Sequence, residues 1–186
     1  SEIWKGEYLT ANWRSQGAGD FNPSERPIQL AQDVAFLRPK DSGLKWPLKP
    51  VMTKENPVNP DPLYPKNLGY AFRGYALGKN GNPTLRYLCG EIAIEDRFEV
   101  KREKVLKRSF DFDAKKPGVL HFRALTGQII SESGGVFKTA DLRLTLGSEV
   151  ETVLRSIGVD GEQELLMKIP LGPEKNTYSI DYEILR

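Results

Sequence analysis

The sequence predicts an all-β protein, an antiparallel β-sandwich of jelly-roll type with an irregular Pro/Gly-rich N-terminal third. Two observations predict this fold. Apolar and polar residues alternate in most of the chain after residue 66, and turn residues separate the alternating stretches at short intervals. Strands with one apolar face pair into antiparallel sheets, which bury the apolar face and leave the polar face exposed to solvent. A sandwich is favoured over a propeller, which would need a repeat of fixed length.

A central hairpin organises the chain. Tyr70–Leu77 and Thr84–Leu88 have the composition of two strands. The turn between them contains Asn80 and Gly81, which accept a positive φ at low cost, so the chain can reverse there. Glu91–Glu95 then continues as a third antiparallel strand.

The first 66 residues are irregular and are expected to cover the core. Glu2–Leu9 predicts a short strand, Asn12–Phe21 a loop held by its aromatic residues, and Ile28–Leu37 a strand or a strand pair. Trp46–Pro65 contains six prolines, which lack the N–H that a ladder or helix needs, so this segment is expected to be extended. These residues hold too little periodic apolar material for a separate core. We therefore predict one domain, 1–186, with a covering segment, 1–66, and a strand-rich core, 67–186.

The C-terminal half continues as a series of strands. Gln128–Ser131 and Val136–Thr139 flank two glycines and predict a hairpin. Ser148–Ile157 is the one plausible helix, because its apolar residues recur at helical spacing, although its β-branched residues suit a strand almost equally well. Alternation predicts further strands at Ile92–Val100, Leu106–Phe112, Val119–Ala124, Leu142–Leu146, Leu165–Ile169 and Tyr178–Ile184.

Composition narrows the function classes. Lys plus Arg number 27 against 25 Asp plus Glu, a net charge of +2 with both signs interspersed, so no nucleic-acid partner is expected. The densest basic stretch, Lys101–Arg108, is interpreted as a strand or turn with one solvated face.

No apolar run approaches the roughly 20 residues of a membrane helix, which predicts a soluble protein without a membrane span. The chain begins without Met, so we expect a processed secreted protein or a domain of a longer one. The single cysteine, Cys89, excludes an internal disulfide and is expected to be a small buried apolar residue.

Catalytic patterns are weak. His121 is the sole histidine, and no nucleophile-elbow pattern surrounds any serine that might use it. Asp111 and Asp113 lie on one face of a strand, roughly 7 Å apart, a spacing that suits an inverting glycosidase pair and equally suits two solvated carboxylates. No catalytic residue, metal or cofactor is therefore assigned. A calcium ion stays open, because Asn59, Asp61, Asp111 and Asp160 are candidates by residue type alone.

Aromatic residues of the N-terminal third form the most plausible binding surface. Trp4, Trp13 and Trp46 can stack on sugar rings beside Arg14, or they can instead cover one end of the sandwich as an apolar cluster. On the strand Val119–Ala124 the alternation places His121 and Arg123 together on the outer, solvated face, where they could hold an anion. The candidate ligand-binding residues are Trp4, Trp13, Arg14, Trp46, Arg73, His121 and Arg123.

Four segments carry a resemblance to a known type of domain: Trp4-Lys-Gly-Glu-Tyr-Leu9, Phe72-Arg-Gly-Tyr-Ala-Leu77, Gly81-Asn-Pro-Thr-Leu-Arg-Tyr87 and Glu91-Ile-Ala-Ile-Glu-Asp96. The chain resembles the accessory β-domain of large secreted bacterial proteins that also carry c-type cytochrome and β-propeller, sugar-dehydrogenase-like modules. The likeness covers residues 4–100 and, more loosely, 119–127. It implies a periplasmic or extracellular setting with electron-transfer or polysaccharide-processing partners. A Cys-x-x-Cys-His element is absent, so no heme can be attached covalently.

Taken together, the residues and the resemblance predict a noncatalytic interaction or docking module of a secreted redox or polysaccharide-processing system. Its expected partner is a c-type cytochrome or β-propeller dehydrogenase module. The first alternative is a carbohydrate-binding module that uses the tryptophans. The second alternative is a hydrolase acting on a glycan.

Overall fold

The structure is a computed structural model, and it describes residues 2–3, 8–13, 19–23, 26–31, 33–38, 45–147, 149–158 and 161–186. In chain order its elements are β1 (Glu2–Ile3), β2 (Tyr8–Trp13), β3 (Gly19–Pro23), β4 (Ile28–Gln29), β5 (Phe36–Leu37), a 3₁₀ turn (Lys66–Leu68), β6 (Tyr70–Leu77), β7 (Pro83–Cys89), β8 (Ile92–Arg102), β9 (Val105–Asp113), β10 (Gly118–Gly127), β11 (Ile130–Glu132), β12 (Val136–Lys138), β13 (Leu142–Leu146), β14 (Glu151–Ser156), β15 (Gln163–Leu171) and β16 (Asn176–Ile184).

Two antiparallel sheets form the sandwich. The long sheet has eight strands in the order β11-β12-β13-β16-β9-β8-β7-β6, and the short sheet has four in the order β14-β15-β10-β5. The pairs β1–β4 and β2–β3 form two further two-stranded sheets. This arrangement confirms the predicted all-β sandwich.

A cluster of phenylalanines joins the two sheets. Phe36 and Phe122 of the short sheet meet Phe110 and Phe112 of the long sheet, with ring centroids 5.2 Å apart for Phe36 and Phe110 and 4.7 Å apart for Phe110 and Phe122. All four rings are almost completely buried. Their inward position follows from the alternation in β9 and β10, because every second side chain of a strand points to the same face.

The central hairpin and several later strands lie where the sequence predicts them. Tyr70–Leu77 is β6, the turn after it places Gly81 at φ +78°, and Leu142–Leu146 is β13. The predicted hairpin around Gly134 and Gly135 is the pair β11–β12.

Two expectations about local structure were wrong, and a third needs correction at one residue. The segment around Glu151–Ser156 is the edge strand β14 of the short sheet, because pairing with β15 suits its β-branched residues better than a helix does. Within Asn12–Phe21 the described residues belong to β2 and β3, which pair with each other, since two short polar strands have the composition of a loop. The stretch Lys101–Arg108 has the expected solvated face at the end of β8 and the start of β9, and Arg108 alone among its charged residues is buried, because it lies on the inward face of β9.

The proline-rich segment has the extended form that its composition predicts. Residues 45–62 contain no helix or strand. Part of the segment packs on the outer face of the short sheet, where Trp46 is buried with Val34 and Leu166. The Trp46 indole N–H donates a hydrogen bond to the Val34 carbonyl at 3.0 Å. This contact covers a sheet face that the alternation alone predicts to be solvated.

Candidate docking surface

The long sheet extends beyond the short one on its β6 side and presents apolar side chains on the edge strand β6 and, two strands farther in, on β8. Phe72, Tyr75 and Leu77 of β6 and Val100 of β8 are 57%, 64%, 64% and 66% exposed. We call these four residues the uncovered face. Large apolar side chains exposed on one sheet face, in a protein that buries Phe36, Phe110, Phe112, Phe122 and Phe137, make this face a candidate interaction surface.

The strand register shows that the uncovered face is part of the sandwich-facing side of the long sheet. Tyr75 pairs with Leu85, Leu85 with Asp96, and Asp96 with Phe110, which is fully buried against the short sheet. Val100 likewise pairs with Leu106, which pairs with the buried Tyr182. The same face of one sheet is therefore core at β9 and open to solvent at β6.

Two tyrosines link the uncovered face to a cavity. The Phe72 ring lies 5.6 Å from that of Tyr87, which lies 5.4 Å from that of Tyr70. The cavity has a volume of about 330 Å³, and its lining includes Lys49, Tyr64, Tyr70, Tyr87 and Arg108. Burial, followed by the nearby Asp96 carboxylate, raises the pKa of Tyr87 to about 12, so this phenol is neutral at physiological pH.

Arg73 lies on β6, which pairs with β7 and with no other described strand. The β6–β7 register shifts between Phe72 and Gly74, which makes Arg73 the extra residue of a β-bulge, and Gly74 adopts φ +108° there. Arg73 is exposed and lines a groove of about 290 Å³ that also includes Arg86, Asp113 and Lys175. Among the predicted ligand-binding residues whose side chains the structure describes, Arg73 lies on the strand that carries Phe72, Tyr75 and Leu77, but on the opposite face of the sheet.

The groove also contains Asp111, one of the two carboxylates considered for glycosidase chemistry. Its carboxylate accepts hydrogen bonds from the Arg97 guanidinium and, at 2.7 Å, from the Thr177 hydroxyl. The Arg97 hydrogen bond, reinforced by Thr177 and opposed by partial burial, lowers the pKa of Asp111 to about 2. An inverting pair needs one carboxylic acid that stays protonated near neutral pH, and Asp111 cannot supply it.

His121 and Arg123 were expected on a solvated face, and that expectation was wrong. They are 8% and 6% exposed, because the segment that contains Asp33 and Trp46 covers the outer face of the short sheet. Arg123 forms ion pairs with Asp33 at 2.9 Å and with Glu164 at 2.7 Å, beneath the Trp46 ring. Its charge is therefore already neutralised, and no open anion site exists at this position.

The His121 imidazole is buried beside cationic side chains. Its Nδ1 atom has no hydrogen-bond partner among the residues that the structure describes. Burial, followed by the positive charges of Lys168 and Arg155, lowers the pKa of His121, so the ring is neutral at pH 7.

The structure describes only part of the predicted tryptophan binding surface. Trp46 is 4% exposed and therefore cannot stack on a sugar ring, which corrects the prediction for this residue. Trp4 and Arg14 lie outside the described residues, and so does the side chain of Trp13, whose backbone belongs to β2.

Two smaller predictions concern Cys89 and calcium. Cys89 is 4% exposed, as expected, and burial raises the pKa of its thiol.

Among the calcium candidates, Asp61 accepts hydrogen bonds from Leu63 N–H and from the Asn67 amide, and Asp160 lies outside the described residues. The described ranges contain no cluster of three or more His, Cys, Asp or Glu side chains that could hold a metal ion. No helix in these ranges is long and apolar enough to cross a membrane.

Comparisons with known proteins give distant structural likenesses. No family model matches the chain, and no curated protein matches it. Among solved structures, it is similar to the heparan sulfate lyase HepC from Pedobacter heparinus, with 9% identity and a TM-score of 0.42, and to a mutant of that lyase, with 9% identity and a TM-score of 0.43. Each match covers 62% of this chain and 21% of the lyase, so the chain spans about a fifth of the length of the protein it matches.

Proposed function

We propose that this chain is a noncatalytic docking module that binds a protein partner through the uncovered face. The observation that carries this proposal is the exposure of Phe72, Tyr75, Leu77 and Val100 on a sheet face that is core elsewhere in the molecule. Covering such a face removes apolar surface from water, which is the main driving force of protein association.

A protein suits this surface better than a glycan does. Sugar sites combine an aromatic ring with several polar groups that are free to hydrogen-bond the hydroxyls. Here the rings of Phe72 and Tyr75 are accompanied by the aliphatic Leu77 and Val100. The nearby charged residues on this sheet face are Asp96 and Arg108, and they form an ion pair with each other. Partners of mainly apolar character therefore fit best.

The proposed partner is a c-type cytochrome or a β-propeller dehydrogenase module, in the same polypeptide or in a separate one, in the periplasm or outside the cell. The resemblance of the Arg73-Gly-Tyr and Gly81-Asn-Pro-Thr elements to accessory domains of such proteins supports this choice. A rigid sheet edge that contributes no redox group is suited to holding two modules together.

The test is site-specific photo-crosslinking in the cells that produce the protein. A benzophenone amino acid replaces Tyr75, and a matched control carries it at Glu99, an exposed residue on β8. We expect adducts with one cytochrome or propeller module from position 75 and not from position 99. With that module purified, Tyr75→Ser should weaken binding at least tenfold and Glu99→Ser should leave it unchanged.

The proposal fails if both positions crosslink alike or if Tyr75→Ser binds the purified module as tightly as the parent does. A glycan screen of the parent and of Tyr75→Ser runs in parallel. Glycan binding that depends on Tyr75 would instead support a carbohydrate-binding module.

A further inference from the structure

The free edge of β6 is long and poorly protected. The strand spans Tyr70–Leu77, and on the side away from β7 its backbone N–H and C=O groups face no described strand. Edge strands are usually guarded by charged residues, proline or very short length. Here Phe72, Tyr75 and Leu77 are exposed, and the guarding features are Arg73 and its bulge.

A strand added to this edge would continue both faces of the long sheet. Every second side chain of that strand would lie beside Phe72, Tyr75 and Leu77 on the uncovered face. Apolar residues at those positions would bury the exposed rings, since side chains on neighbouring strands of one face contact each other.

The remaining side chains of an added strand would lie on the opposite face, beside Arg73 and Arg86. Near this edge, the ion pairs of the described residues on that face join Arg86 and Arg97 to Glu95 and Arg97 to Asp111, and Arg73 takes part in none of them. The carboxylates that line the same groove belong to β8 and β9, farther from the free edge. An acidic side chain on the added strand would therefore meet an unpaired cation.

A second copy of this chain fits the edge less well. Two β6 edges paired antiparallel about a two-fold axis would bring identical faces together, and each Arg73 would then lie close to its counterpart. Like charges in that position destabilise the pairing.

We infer that β6 accepts an extended segment of the partner, in which apolar residues alternate with acidic ones, as an additional strand of the long sheet. This inference rests on the proposed docking function and names the form of its contact. Backbone hydrogen bonds would provide affinity, while the uncovered face and Arg73 would select the side-chain pattern.

The test uses a fluorescein-labelled synthetic peptide as long as β6, in which valine alternates with glutamate, and fluorescence anisotropy as the readout. We expect saturable binding that Arg73→Glu and Tyr75→Lys each weaken at least tenfold. Lys116→Glu makes the same charge change in the turn after β9 and should leave binding unchanged. Circular dichroism of each variant confirms that it is folded, and Arg73→Ala, at an exposed position, provides a milder second variant.

Backbone methylation separates strand addition from simple charge attraction. A peptide N-methylated at alternate residues along one edge should lose binding, whereas methylation along the other edge should leave it intact, because an added strand uses one of its edges. Equal effects of the two methylation patterns would overturn the inference.

Other outcomes are also decisive. If the peptide does not bind although Tyr75→Ser weakens the natural partner, strand addition is wrong and the docking function stands. If the free chain dimerises and Tyr75→Lys makes it monomeric, the occupant of the edge is a second copy, and the inference is overturned.

Discussion

Arg108 and Asp96 form a two-point ion pair inside the sandwich. The guanidinium Nε donates to one carboxylate oxygen at 2.9 Å and a terminal nitrogen donates to the other at 2.7 Å. Asp96 is fully buried, and Arg108 lies 5.0 Å from the ring centroids of Phe98, Phe110 and Phe122. Burial opposes the charge on Arg108, but the Asp96 carboxylate outweighs it and raises the pKa of the guanidinium above its usual value.

Replacement of one member of this pair should destabilise the fold strongly. Asp96→Ala leaves the Arg108 charge buried without a partner, and the expected loss in the free energy of unfolding is about 3–5 kcal/mol. Urea denaturation followed by circular dichroism measures it. Glu95→Ala, at the next position and on the solvated face, is the matched control and should cost less than about 1 kcal/mol.

The double variant Asp96→Leu with Arg108→Met tests the cause of that loss. It removes both charges and keeps apolar volume, so it should recover most of the stability that Asp96→Ala loses. A double variant as unstable as the single one would show that the pair contributes through specific geometry rather than through mutual charge compensation.

A second contact between the sheets gives a smaller effect. The Tyr182 hydroxyl on the long sheet donates a hydrogen bond at 3.1 Å to the Ala124 carbonyl, which lies where the register of β10 shifts. Tyr182→Phe removes the donor of this buried hydrogen bond, so we expect a loss of about 1–3 kcal/mol. Thermal unfolding measures it. Tyr75→Phe, an exposed tyrosine on the same sheet face, should leave stability unchanged, and equal effects of the two variants would contradict the assignment.

The sequence predicts the strands well because alternation is a local property. It also contains the signal of the buried ion pair, which our sequence analysis did not use. Ile92, Ile94, Phe98 and Val100 share one face, and the position skipped in that series is Asp96. In the next strand, Leu106, Phe110 and Phe112 share one face, and the skipped position is Arg108. Opposite charges at inward positions of neighbouring strands predict a buried pair.

The uncovered face could not be predicted in the same way. Tyr75 and Leu77 have the alternation of core residues, and they are exposed because the short sheet ends before it reaches β6. Conversely, His121 and Arg123 have the alternation of solvated residues, and they are buried because a distant segment crosses over them. The strand number of each sheet and the path of an irregular segment depend on contacts between residues far apart in the chain, which local patterns do not contain.

The single histidine makes its contribution to acid stability measurable. Because burial and neighbouring cations lower the pKa of His121, the unfolded chain binds a proton near pH 6.5 while the folded chain still excludes it. The stability that this neutral imidazole provides is therefore present above pH 6.5 and is lost as the pH falls through the lower folded pKa. NMR titration of the one imidazole resonance should give a midpoint below 6.5.

Denaturation at several pH values checks the link to stability. His121→Gln cannot be protonated, so the fall in the free energy of unfolding between pH 7 and pH 5 should be smaller in this variant than in the parent. Identical pH dependence of the two proteins would contradict the assignment.

The pKa of Asp111 is also lowered, but by attraction to a cationic partner rather than by burial and repulsion. Its pKa of about 2 lies below the ordinary value of 3.8, so its ionised form stabilises the folded state above pH 3.8, and this contribution is lost as the pH falls through about 2. Arg97→Gln removes the largest cause and should return the pKa towards 3.8, as followed by carboxyl carbon chemical shifts. Thr177→Val removes the second hydrogen bond and should give a smaller rise.

Arg86→Gln is the matched control for this shift. Arg86 lines the same groove but pairs with Glu95, so its loss should leave the Asp111 titration unchanged while it still removes a positive charge from the same sheet face. If Arg86→Gln raised the pKa of Asp111 as far as Arg97→Gln does, the overall positive charge of the groove would control the titration rather than the Arg97 hydrogen bond. The groove would then attract anions across its whole length, and the acidic side chains of a docking strand would not depend on Arg73 in particular.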